Sequence, residues 1–118
     1  MQPEDRDAAY LWDMLSYART AMGLVDEKSL AGYLNDRTQQ LALERALEIV
    51  GESARKLSDA FRAAHPDIPW RAIIGLRTIL AHDYGSILQE RLWNVAVGQV
   101  PELIRRIEPL VPESDPTE

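Results

Sequence analysis

Arg77, His82 and Tyr84 bring a permanent cation, an imidazole and a phenol within eight positions of a 118-residue chain. Together these groups suit work on phosphates and protons. A guanidinium fork matches phosphoryl oxygens, and an imidazole moves protons near neutrality. His82 falls near the end of its predicted helix, where the carbonyl groups favour a protonated ring, although a purely structural histidine fits the same position. Arg77 sits among Leu76, Ile79 and Leu80, an awkward place for a charge, and a structural ion pair to Glu48 or Glu52 is compatible with the spacing. On a regular helix Arg77 and His82 are separated by about 140° around the axis, whereas Arg77 and Tyr84 fall within about 20°. Either the helix loosens before His82, as Gly85 would allow, or the two groups converge with copies from a second subunit. Asp83 either helps to orient the site or faces solvent. His65, before Pro66 in a polar loop, reads as a surface residue without a role.

Several helices must position these groups. From Arg6 to about Val25, Leu11, Met14, Leu15, Ala18, Met22 and Val25 follow steps of three and four, one face of a helix. After a polar break, Leu30 to Leu34 predicts a helical turn, and Asp36 predicts the N-cap of a long helix over residues 37–61. That helix carries Leu43, Leu47, Val50, Ala54, Leu57 and Phe61 on one face, with Ala42, Ala46 and Ile49 beside it. So broad an apolar face suits the centre of a bundle, or packing on a second copy of the chain. Pro66 and Pro69 enforce a loop, Trp70 opens the helix that carries Arg77, and Gly85 is its expected stop. A last helix spans residues 87–110, and Pro101 should kink or restart it. Trp12, Trp70 and Trp93 lie within apolar spacing and read as core or dimer-interface residues. The expectation is an all-α, up-and-down bundle of four main helices plus short helical turns, occupying residues 6–111. A flexible segment (residues 1–5) precedes it and a disordered acidic tail (residues 112–118) follows.

Composition narrows the chemistry. There is no cysteine, which excludes thiolate catalysis, disulfides and Cys-ligated zinc and suits a reducing, cytoplasmic compartment. No carboxylate and histidine cluster has plausible ligand spacing, so neither a metal nor another cofactor is expected. No apolar run approaches a membrane span and no secretion signal opens the chain. The net charge of −6 argues against a nucleic-acid partner. However, Glu4, Asp5, Glu113, Asp115 and Glu118 lie at the two ends, unmatched by Lys or Arg, leaving residues 6–111 one charge short of neutrality. Within that body a local phosphate site is permitted.

Arg77, four residues, His82, one residue and Tyr84 resemble the Arg-x4-His-x-Tyr signature of HepT-like toxins in the HEPN superfamily of helical nucleases. Two further segments are similar: Ile49-Val50-Gly51-Glu52-Ser53-Ala54, and Pro66-Asp67-Ile68-Pro69-Trp70 leading into the motif. Arg6-Asp7 and Leu92-Trp93 also match, so the likeness covers about residues 6–110. It implies a HEPN-type bundle that forms a homodimer with paired motifs on a shared cleft, and metal-independent cleavage of RNA with Arg77 and His82 catalytic. It also implies a toxin whose partner, a minimal nucleotidyltransferase (MNT) antitoxin, silences it by AMPylation of Tyr84. Thr78 stands where relatives often carry Asn or Asp; with Asp83 and Glu52 it is an auxiliary candidate. The alternative is a non-catalytic HEPN binding module that serves a nucleotidyltransferase without cutting RNA.

Overall fold

The steps of three and four along the first and third helices have a direct physical outcome: their stripes face each other. In the computed structural model, which describes residues 3–113, 115 and 116 and side chains from Arg6 onward, α1 (Pro3–Val25) runs along α3 (Arg37–Lys56). Leu11, Met14, Leu15 and Ala18 of α1 are buried with Leu43, Leu47, Val50 and Ala54 of α3. The expected flexibility at Met1 and Gln2, and the part of the expected tail at Ser114, Thr117 and Glu118, lie outside the described residues. α1 begins at Pro3, earlier than its apolar stripe, and buries Ala21 where the periodicity predicts Met22, which is exposed. Between these helices, α2 (Leu30–Leu34) is a single capped piece: Ser29 Oγ accepts from Gly32 N, and Asp36 Oδ1 accepts from Gln39 N to start α3 as expected.

The long helix is shorter than its apolar pattern. It stops at Lys56, and α4 (Asp59–Ala64) starts after a two-residue break. The cause is distant in sequence. Asp7 of α1 accepts from Ser58 N at 2.8 Å and from Ser58 Oγ at 2.7 Å, while the same hydroxyl caps Phe61 N. Ser58 is thereby held in extended backbone, where a helix cannot continue. His65, expected to be idle, closes α4: its ring stacks on Phe61 at 4.5 Å, and its carbonyl accepts from Trp70 Nε1.

Trp70 opens α5 (Trp70–Ile74) behind Pro69, but the predicted single helix is divided at Gly75, after which α6 (Leu76–His82) follows. Both pack on α3. α7 (Gly85–Asn94) passes into a wide π turn (Val95–Gln99), then α8 (Val100–Ile107) and a 3-10 turn (Glu108–Leu110). The π turn answers Pro101. Val100 N bonds to Val95 O, five residues back, and Pro101 enters the first turn of α8, where its missing N–H removes nothing. The four main units are therefore α1, α3, α5–α6 and α7–α8, an all-α bundle, with no strand among the described residues.

A buried polar chain ties α2 and α3 to α7. The Tyr33 hydroxyl donates to Gln89 Oε1, Gln89 Nε2 donates to Glu44 Oε2 at 2.9 Å, and Gln40 Nε2 donates to the Tyr33 carbonyl. Burial, followed by the Glu44 charge, pushes the Tyr33 phenol well above its ordinary value, so it remains a donor. No helix among the described residues is long and apolar enough to cross a membrane.

Candidate functional site

α6 is seven residues long and carries both members of the expected pair. Its hydrogen bonding stays regular past His82, for Asp83 N still donates to Ile79 O at 2.9 Å. The helix does not loosen before His82. The separation of about 140° around the axis therefore holds, and one chain does not bring Arg77 and His82 onto a common face.

Arg77 turns toward α3. Its Nε lies 3.2 Å from Glu52 Oε2, which decides between the two ion-pair partners left open by spacing. Glu52 is shared: Arg55 Nη2 meets Oε1 at 2.7 Å and Lys56 Nζ lies 3.7 Å from the same atom. The Arg55 hydrogen bond first, and then the charges of Arg55, Arg77 and Lys56, hold the Glu52 carboxyl below the usual carboxylate range. Arg77 is engaged through Nε and its side chain is about 48% exposed, which leaves the guanidinium accessible to an incoming anion. The neighbouring groove is lined by Glu48, Arg77, Leu80 and Ala81.

The approach of α6 to α3 depends on a residue that spacing did not single out. A Cβ at Gly51 would lie 3.0 Å from the Ile73 carbonyl oxygen, 3.5 Å from Arg77 Cγ and 3.6 Å from Leu76 Cβ. Glycine is what lets the α5–α6 backbone lie this close, and Glu52, the next residue, then meets Arg77. In the sequence Gly51 stands out only within the segment Ile49-Val50-Gly51-Glu52-Ser53-Ala54 that resembles the family.

His82 lies on the exposed side of α6, one turn after Thr78, which is also exposed. At this i, i+4 spacing the two side chains are neighbours, so Thr78 adjoins the imidazole rather than the guanidinium. Asp83 is turned largely from solvent: its Oδ2 pairs with Arg91 Nη1 at 2.6 Å, and its side chain is about 21% exposed. That pair braces the corner between α6 and α7. Asp83 and Tyr84 are extended, and Gly85 at φ +66° supplies the left-handed turn into α7, so glycine opens the next helix instead of stopping the last one. Tyr84 is thrown outward at this corner, 81% exposed, with Ile87 (67%) beyond it. Of the expected interface residues, Ala46 is buried within the bundle, Ala42 and Ile49 are half-buried, and Leu41 stands 50% exposed on the same helix. Trp12, Trp70 and Trp93 are each half-buried.

The chain is similar to several proteins over most of its length and of theirs. Over 100 residues, covering 85% of this chain and 92% of the relative, it is 33% identical to the Methanocaldococcus jannaschii protein named "Putative RNase MJ1380". It is 32% identical to "Probable ribonuclease HepT" of Thermococcus cleftensis, across 86% of this chain and 92% of that one. It is 28% identical to "Putative RNase TTE0752" of Caldanaerobacter subterraneus subsp. tengcongensis, across 86% and 91%. No solved structure matches it. The family model described as Ribonuclease HepT-like matches residues 14–110, which span α6 and the elements that hold it, and the chain accordingly belongs to the HepT-like ribonuclease family.

Proposed function

We propose that the protein is the toxin of a HEPN/MNT toxin–antitoxin system, a metal-independent endoribonuclease acting as a homodimer in the cytoplasm. The observation that carries this reading is the arrangement of α6. Arg77 is anchored on Glu52 through Nε yet nearly half exposed, while His82 is exposed and makes no side-chain hydrogen bond among the described residues. In the reaction the ribose 2′-oxygen attacks the adjacent phosphorus and the bond to the 5′-oxygen breaks, leaving a 2′,3′-cyclic phosphate and a 5′-hydroxyl. His82 takes the 2′-proton or delivers one to the leaving oxygen, and Arg77 balances the charge that grows on the phosphoryl oxygens. The nucleophile is already part of the substrate, so no metal ion is needed to generate it.

Because α6 is regular, the two groups act together only when a second copy supplies one of them. Exposed apolar side chains at Leu41, Ile87 and Tyr84 flank the motif and suit such a contact. The ribonuclease names of the relatives support the RNA-cleaving part of the reading. The purified protein is expected to cleave single-stranded RNA in excess EDTA, leaving cyclic phosphate ends visible by mass spectrometry. Complete dependence on an added divalent ion would defeat the metal-free mechanism.

Tyr84 is the proposed off-switch. Its 81% exposure at an extended corner makes the phenol reachable by another enzyme. Attack of the Tyr84 oxygen on the α-phosphorus of ATP would form a phosphodiester and release pyrophosphate, leaving a bulky anion at the C-terminal end of the motif. Incubation with the cognate nucleotidyltransferase and ATP should add AMP mass and stop cleavage, and Tyr84→Phe should abolish both effects. An adduct that persists in Tyr84→Phe places the acceptor elsewhere.

One observation favours the second reading, a binding module without nuclease activity: Arg77 already has a carboxylate partner in the free chain. An RNA-binding protein that leaves RNA intact under all conditions would establish it.

A further inference from the structure

Adjoining the groove at Leu80, with which it shares Glu48 and Arg77, a cleft of about 360 Å³ opens against α1 and α3; apart from Arg77, none of its lining takes part in the reaction above. Its lining includes Tyr10, Asp13, Ser53, Lys56 and Arg77. We infer that this cleft is a nucleotide subsite that takes one unpaired nucleotide of the RNA strand, its base against Tyr10 and its phosphate on Lys56. The inference rests on the ribonuclease reading and adds to it where the strand lies.

Continuity is the first support. Arg77 Nε and Lys56 Nζ lie at opposite oxygens of the Glu52 carboxylate, at 3.2 Å and 3.7 Å. A phosphate held by Arg77 therefore has its next cation one carboxyl group away, inside the cleft. The carboxylates on the α3 side are already matched, since Glu52 receives Arg55 and Glu48 receives Arg45 Nη1 at 2.8 Å. Arg55, Lys56 and Arg77 together meet the single Glu52 carboxylate, so the excess charge on that wall is positive.

The second support is that the two walls differ. Tyr10 and Asp13 come from α1, three positions apart and on one face. Lys56 Nζ lies over the Tyr10 ring, 5.9 Å from its centre, so the cation shares that face of the ring and a stacked base displaces it toward the phosphate. Burial, and then the charge of Asp115, hold the Asp13 carboxyl above its ordinary range. A carboxyl group here opposes phosphate and can accept from a base amine. The sugar-phosphate chain is thus directed to the Lys56 and Arg77 wall, and the base to the Tyr10 and Asp13 wall. Stacking on one aromatic ring tolerates any base, and the cleft volume is at the lower end of what small ligands occupy.

The test uses the full chain and a short, fluorescently labelled, single-stranded RNA of mixed sequence. Tyr10→Ala and Lys56→Ala are each expected to raise KM about tenfold, with a smaller effect on kcat. Tyr10→Phe should recover most of the affinity, because it keeps the ring. On a His82→Ala background, binding measured by anisotropy should weaken equally, and Lys56→Ala should lower the salt slope by about one phosphate contact. Thermal melts of all variants identify any loss due to unfolding, and Lys56→Gln repeats the charge test with less change in shape. If wild type cleaves while KM and salt slope ignore all of these substitutions, the subsite is refuted and the ribonuclease reading stands. If wild type never cleaves but binding still depends on Tyr10 and Lys56, the ribonuclease reading fails and the nucleotide site stands.

Discussion

His82→Ala is expected to slow RNA cleavage by about a hundredfold to ten-thousandfold, the range for loss of a general acid or base, while leaving the fold intact. His82 is exposed and makes no side-chain hydrogen bond among the described residues, so its removal should change stability by no more than about 0.5 kcal/mol. Arg77→Ala should cost about a hundredfold to a thousandfold through lost charge stabilisation. Its pair with Glu52 is nearly half exposed and screened by solvent, so its loss should hardly affect stability, and Glu52 retains Arg55 and Lys56. Activity and stability should therefore separate in both variants. The regular geometry of α6 adds a sharper expectation. When His82→Ala and Arg77→Ala proteins are unfolded together and refolded as a mixture, activity should return to as much as about a quarter of wild type. Half of randomly formed dimers are mixed, and a site built from one copy's Arg77 and the other's His82 is intact once in each. Within a single chain no mixture could restore a site. A mixture as inactive as its parents would mean that Arg77 and His82 work in cis, and that α6 must distort when RNA binds.

Gly51→Ala is expected to destabilise the protein by about 1–3 kcal/mol and to impair cleavage, although residue 51 never meets substrate. Two effects compete. Replacing a mid-helix glycine with alanine ordinarily stabilises by about 1 kcal/mol through backbone entropy and helix propensity. Here the new methyl would stand 3.0 Å from the Ile73 carbonyl oxygen, which belongs to the α5 backbone and cannot rotate aside as a side chain could. To relieve it, α5–α6 must move away from α3, taking Arg77 from Glu52 with it. Overpacking should win. Thermal melting should show a midpoint several degrees lower, and kcat should fall at temperatures where the variant is still folded. A variant as stable and active as wild type, or more stable, would show that the two backbones have room to spare and that Gly51 does not set the position of Arg77.

Several features are local enough to be legible in the residues themselves. Asp36 three residues before Gln39, and the turn from Leu30 to Leu34, depend only on side chains reaching nearby backbone. The stripe from Leu11 to Val25 and that from Leu43 to Leu57 predict burial because helical period alone brings those side chains to one face, and nearly all are buried. Pro101 likewise announces a disturbance, since a missing N–H and a fixed ring must be accommodated wherever the helix lies. The form it takes, a π turn over Val95–Gln99, was not legible, because 3-10, kinked and π solutions differ in how the flanking helices pack.

The segment from Arg77 to Tyr84 divides along the same line. The sequence by itself determined that His82 would sit near the end of its helix and that Arg77 and His82 would point apart on it, which follows from helical period, while the family was legible as a resemblance of the motif and its flanking segments. Tertiary structure alone decided that Arg77 would take Glu52 and not Glu48, that Asp83 would be spent on Arg91, and that the long helix would break where Asp7 reaches Ser58. Each of these joins groups from different helices. Helical period sets the face on which a side chain stands, but the distance between two faces depends on how closely their backbones approach, which at this site depends on the missing side chain of Gly51.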